Sequence, residues 1–196
     1  MSLAERIALV NEKIAAAARQ AGREPSEVTL VAATKVQTSD TIRQAIAAGV
    51  TICGENRVQE MTAHLAAGAY EGAHLHFIGH LQTNKVNKVV GKAELIQSVD
   101  SLHLLQAIDA QAEKLGLVQD ILLEVNIAGE ESKGGCPVED LPQLAQAAGA
   151  MGHVRLRGLM AIPPISPQPG ANRPYFSAMR QLFVDIKEKM SDNQTD

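Results

Sequence analysis

Tryptophan is absent from this chain of 196 residues, and three phenylalanines and two tyrosines are its only aromatics. Base stacking needs aromatic platforms, so this shortage argues against single-stranded nucleic acid as a partner. Basic charge is short as well: 18 Lys and Arg stand against 22 Asp and Glu, a net charge of −4. Duplex nucleic acid calls for clustered cations, which that balance does not provide. Long apolar runs are also missing. No stretch approaches the roughly 20 residues of a membrane span, and Glu5, Arg6, Glu12 and Lys13 interrupt any signal-peptide core. Cysteine occurs twice, at Cys53 and Cys136, far apart and without metal-type spacing. In an acidic chain without a signal peptide, the pair predicts two reduced thiols in a cytoplasmic protein.

Against those absences, 45% of the residues are apolar and 20% charged, enough for one domain with a proper core. Leu3, Ile7, Val10, Ile14 and Ala17 recur at helical spacing and predict an opening amphipathic helix, ended by Gly22 and Pro25. The run Val28-Thr29-Leu30-Val31-Ala32-Ala33-Thr34-Lys35 follows, apolar without alternation, which suits a parallel strand covered on both faces. Thr38-Ser39-Asp40 then opens a helix that Gly49 closes. The same strand–helix alternation repeats. Strands are predicted over 50–53, 75–78, 95–99, 121–127 and 154–162, with helices between them, one of them carrying Val86, Val89 and Val90. Pro163, Pro164, Pro167, Pro169 and Pro174 crowd a loop before a last helix from Phe176 to Met190 and a polar tail, 191–196. The expectation is an α/β fold: a leading helix and about six strand–helix units on a parallel sheet, which fits either a doubly wound open sheet or a (β/α)₈ barrel, the latter two units short of closure.

The strand ends collect polar residues. Lys35, Glu55-Asn56, His80, Ser98 with Asp100, Asn126 and Met160 all fall at or just past the last residue of a predicted strand. Parallel α/β folds put their chemistry on that rim. A lysine abutting a buried strand is either a solvated charge or a primary amine kept for a carbonyl. Burial or a neighbouring cation would free it as a nucleophile, and Arg57, Lys85 and Arg157 are the candidate neighbours. Other chemistry finds little support. His74-Leu75-His76 puts two imidazoles on one strand face, but at the strand's start, so metal binding is not expected. There is no Gly-rich dinucleotide fingerprint, no Walker-type loop and no serine nucleophile elbow.

Several longer stretches are shared with a known family. Leu30 to Lys35, Gly54-Glu55-Asn56-Arg57-Val58-Gln59-Glu60, His76-Phe77-Ile78-Gly79-His80-Leu81-Gln82-Thr83-Asn84-Lys85, Glu124-Val125-Asn126-Ile127 with Glu130-Glu131-Ser132-Lys133, and Arg157-Gly158-Leu159-Met160 follow in order. In these the chain resembles the pyridoxal phosphate homeostasis protein family, which is itself similar to the amino-terminal barrel of alanine racemase without its second domain. The resemblance implies a TIM-type barrel in a single domain over 1–196, incomplete because the family's seventh and eighth strands, which hold the cofactor's phosphate, lie beyond the position of Asp196. It implies pyridoxal 5′-phosphate as cofactor, held as an internal aldimine on Lys35, with Asn56 near its ring and His80 and Met160 lining the pocket.

The function so implied is that of a carrier or regulator in vitamin B6 and amino and keto acid homeostasis, with no turnover of its own and no catalytic residues. Two alternatives stand beside it. One is a racemase-like enzyme using the same lysine, for which Tyr70 and Tyr175 are the only tyrosines available as a base. The other is a fragment with impaired binding. A monomer is expected, with association open to it through the edges of the incomplete barrel.

Overall fold

In the structure, a computed structural model, residues 1–130 and 133–189 are described. Glu131, Ser132 and Met190 of the expected motifs and the polar tail lie outside the described residues. The chain divides into two compact units, 1–76 and 77–196.

The first unit opens with α1, Leu3–Gln20, whose start is set by a capping box: Glu5 N–H donates to Ser2 Oγ at 3.2 Å and Ser2 N–H to Glu5 Oε2 at 2.7 Å. Only Ile7 and Ala18 of this helix are buried; Val10, expected on the covered stripe, is 41% exposed. The first strand, β1, is shorter than the apolar run that predicted it. It spans Val31–Ala33, because Val28 instead closes a 3-10 turn, its N–H donating to Pro25 O at 3.1 Å. Helix α2, Ser39–Ala47, begins where Thr38 Oγ1 accepts from Thr41 N–H at 3.2 Å, and Gly49 follows it at φ +101°. Strand β2, Ile52–Glu55, runs parallel to β1 with Ala32 opposite Cys53 and Ala33 opposite Gly54. Helix α3, Val58–Ala66, follows. The core here is small, centred on Ile42, Cys53 and Met61, each at most 1% exposed.

The strand β3, His74–Phe77, leads into the second unit. The helix expected around Val86, Val89 and Val90 is instead a 3-10 segment, Thr83–Lys88. Its N-cap, Gln82, makes no side-chain cap, and the β-branched valines favour helix only weakly. Strand β4, Leu95–Val99, is as predicted. Helix α4, Leu102–Leu115, is capped by Ser101 and stopped by Gly116 in the left-handed region. Strand β5 spans Gln119–Glu124 and stops short of the predicted Ile127. The reason is a change of partner: Val125 bridges Cys136, and the Asn126 amide closes a loop onto Glu130, accepting from its N–H at 3.1 Å and donating to its O at 2.9 Å. Helix α5, Leu141–Ala150, strand β6, Val154–Met160, and helix α6, Arg173–Lys189, complete the unit. The proline-rich segment is loop up to α6, whose first turn takes in Pro174. Strands β4, β5 and β6 pair in parallel around a core of Ile96, Leu105, Ile108, Ile121, Leu123 and Leu156, all fully buried.

The six strands follow one another in chain order, β1 to β6. This is the parallel α/β architecture expected, with six strands after a leading helix. Among the described residues β1 and β6 stand at the two ends of that order.

Candidate functional site

In the first unit the site grows from the ladder between β1 and β2. Beyond Ala33 the ladder gains one more bond, Thr34 N–H donating to Gly54 O at 2.8 Å. The chain then turns back, with Gln37 N–H donating to Thr34 O at 3.1 Å. Lys35 sits at the second position of this turn and is exposed. Sequence reasoning expected a covered strand and a shielded amine. The structure differs because β1 has only three residues and stands at an end of the strand order. Arg57, one of the candidate cationic neighbours, pairs with Glu60 at 3.1 Å.

On the adjacent strand, Glu55 is fully buried. Its carboxylate accepts from Thr34 Oγ1 at 3.0 Å, from the Tyr70 hydroxyl at 3.3 Å, and from the N–H groups of Asn56 and Arg57 at 2.8 and 3.4 Å. A buried carboxylate is tolerated when it is hydrogen-bonded in this way. Burial, and then the charge of Glu55, push the Tyr70 phenol far up. The same two causes push the Cys53 thiol up to about 11, so both groups stay protonated at neutral pH. Asn56 follows Glu55, half-buried, and its Oδ1 is buried with no hydrogen-bond partner among the described residues. Lys35 and Asn56 therefore stand just past the ends of two paired strands. One offers an accessible amine, the other a desolvated acceptor waiting for a donor.

In the second unit, His80 follows β3 with its side chain 69% exposed and its Nδ1 at 3.8 Å from Asp100, just past β4. Glu124, the last residue of β5, is buried. Burial and the neighbouring charge of Asp100 raise its carboxyl above the ordinary range, while His80 pulls it the other way. Met160 ends β6 directly opposite Glu124, half-buried, its O accepting from Val125 N–H at 2.8 Å. Ser98 Oγ in β4 is buried without a hydrogen-bond partner among the described residues. Arg157, another of the expected cationic neighbours, lies 3.8 Å from Asp120. Cys136 is a free thiol, like Cys53, raised to about 11 by burial. Among the described residues no group of three His, Cys, Asp or Glu could hold a metal ion.

Sequence reasoning gave no role to Thr34, Val36 or Glu60, and named Tyr70 only as a tyrosine available as a racemase base. The motif Gly54 to Glu60 contained the only available signal, since it spans both carboxylates that reach the Lys35 turn: Glu55, and Glu60, which accepts from Val36 N–H at 2.9 Å.

Comparison with known proteins places these features in context. The family described as alanine racemase, N-terminal domain, matches residues 10–195. A pyridoxal phosphate homeostasis protein of Aquifex aeolicus is 41% identical over 96% of this chain and 83% of its own length. Another of that name, from Pseudomonas aeruginosa, is 38% identical over 94% of this chain and 80% of its own. Among solved structures, PipY of Synechococcus elongatus with PLP bound is 29% identical, with a TM-score of 0.84 over 99% of this chain and 86% of that one.

Proposed function

Since the chain belongs to the alanine racemase N-terminal domain family, among relatives that are pyridoxal phosphate homeostasis proteins, we propose that it binds pyridoxal 5′-phosphate through Lys35 and acts as a carrier or regulator in vitamin B6 homeostasis. The observation that carries this reading is the pairing of an exposed Lys35 amine, on a turn just past β1, with the orphaned acceptor of Asn56 just past the adjoining β2. The cofactor, when bound, supplies an aldehyde carbon that a primary amine can attack. Lys35 supplies that amine, and its exposure leaves a path for a charged ligand to reach it. Asn56 Oδ1 fits a polar hydrogen on the ligand, which would restore the partner that its burial denies it. His80, just past β3, and Met160, the last residue of β6, are proposed as further cofactor-binding residues on the strength of the family resemblance.

A carrier fits these residues better than an enzyme. Racemisation needs a base able to take a proton near neutral pH. The Tyr70 phenol is bonded to Glu55 and pushed far up, so it is no such base.

The experiment is chemical trapping. Protein incubated with pyridoxal 5′-phosphate, reduced with borohydride, digested and mapped by mass spectrometry is expected to carry the pyridoxyl group on Lys35. Lys35→Ala is expected to carry none. Labelling that persists in Lys35→Ala, or falls mainly on another lysine, would overturn the assignment.

A further inference from the structure

The turn that bears Lys35 is unusual in one residue. Its third position, Val36, has φ +56° and is the only residue other than glycine with positive φ among the described residues. A turn with a left-handed third residue normally places glycine or asparagine there. A β-branched side chain in that region is a true outlier, and it persists only where the surroundings impose it. Packing does not do so here, because Val36 is 72% exposed.

Hydrogen bonds impose it. On the upstream side, Thr34 is tied to β2 through its N–H and its hydroxyl, the latter bonded to Gly54 O at 3.1 Å and to Glu55 Oε2 at 3.0 Å. On the downstream side, Val36 N–H donates to Glu60 Oε2 at 2.9 Å. The other oxygen of Glu60 accepts from Arg57 Nη1 at 3.1 Å, which fixes the carboxylate as it faces the turn. Both oxygens are engaged, and both bonds are charge-assisted.

We propose that Glu60 is a positioning residue for Lys35: by accepting the Val36 N–H it holds the turn in its left-handed form and so fixes the direction in which the lysine leaves β1. Released from Glu60, Val36 relaxes toward the φ that valine prefers, the turn opens, and the amine samples many directions. Held, it is preorganised before any ligand arrives, which lowers the ordering cost of binding. This inference rests on the reading of Lys35 as the attachment point.

Three variants test it. Glu60→Ala removes the acceptor, Glu60→Gln keeps an oxygen at the same reach, and Val36→Gly lets the position take positive φ without help. The first readout is the Val36 amide signal by NMR in cofactor-free protein. The Val36 N–H foremost, then Arg57 and His64, hold the Glu60 carboxyl below the ordinary range, so the signal is expected to move with pH in that low window. The movement should vanish in both Glu60 variants, while the hydrogen-bonded position of the signal survives only in Glu60→Gln. The second readout is the concentration of pyridoxal 5′-phosphate that half-saturates trapping at Lys35. Glu60→Ala is expected to raise it about tenfold, as the loss of one such bond implies, and Glu60→Gln to restore most of the loss. In a Val36→Gly background, Glu60→Ala should cost much less. A Val36 amide indifferent to Glu60→Ala, or an equal loss in both backgrounds, would refute the proposal. If wild-type protein traps nothing on Lys35, the functional reading fails while the amide signal still decides whether the clamp exists.

Discussion

Two buried carboxylates, Glu55 at the end of β2 and Glu124 at the end of β5, live under different conditions. Glu55 meets four donors, and its charge is accommodated. For Glu124, burial and then the charge of Asp100 disfavour the ionised form, and His80 offsets them in part. Its folded carboxyl therefore holds a proton that the unfolded chain releases near the ordinary value of 4.5. Stability from this group is fully present below that value and is lost as the pH rises through the raised, folded value. Glu124→Gln keeps the shape and cannot ionise. Its melting temperature is expected to match the wild type near about pH 4 and to exceed it increasingly toward neutrality. A series of thermal melts across that range decides the matter; parallel curves would mean that Glu124 ionises in the fold without penalty.

At the level of the element, the segment after β5 shows how a strand is ended by its neighbours. Val125 and Asn126 leave β5 to bond the returning chain: Cys136 N–H donates to Glu124 O at 2.8 Å and Asn126 N–H to Cys136 O at 2.9 Å. Gly135 makes that return possible. It has φ +106°, and a Cβ built on it would lie 2.5 Å from Asn126 N and 2.7 Å from the Val125 carbonyl carbon. Backbone atoms cannot move aside as a side-chain tip can. Gly135→Ala is expected to destabilise the protein by about 1–3 kcal/mol from the backbone strain, with the clash added to that. Chemical denaturation measures it; a loss below half a kilocalorie, on the order of an ordinary surface change, would show that the loop has an alternative path.

For the molecule as a whole, binding and stability are linked. No helix among the described residues is long and apolar enough to cross a membrane. If pyridoxal 5′-phosphate binds the folded chain alone, a concentration about 100-fold above Kd adds about 2.7 kcal/mol to unfolding. In a protein of this size that raises the melting temperature by roughly 5–10 °C. The shift is expected in wild type and reduced in Lys35→Ala. An unchanged melt at saturating cofactor would return the fragment with impaired binding as the better description.

Local pattern was enough for much of this. Apolar runs without alternation gave away the parallel strands, Leu95–Val99 to the residue, because a strand covered on both faces has no polar period. Thr38 and Gly49 marked the ends of α2 because caps and left-handed stops are chosen by the side chain itself. The placing of Lys35 and Asn56 just past strand ends was likewise legible. What composition and spacing could not supply was any contact between distant parts of the chain. Valine is a strand former, and nothing in its neighbours announces a positive φ at Val36; that follows from Glu60, 24 positions away, meeting its N–H. The early end of β5 depends on Cys136, and the exposure of Lys35 on how little of β1 is paired. Periodicity reports which face of an element is covered. Only the assembled chain decides which carboxylate reaches which donor, since a hydrogen bond depends on position and angle within a few tenths of an ångström.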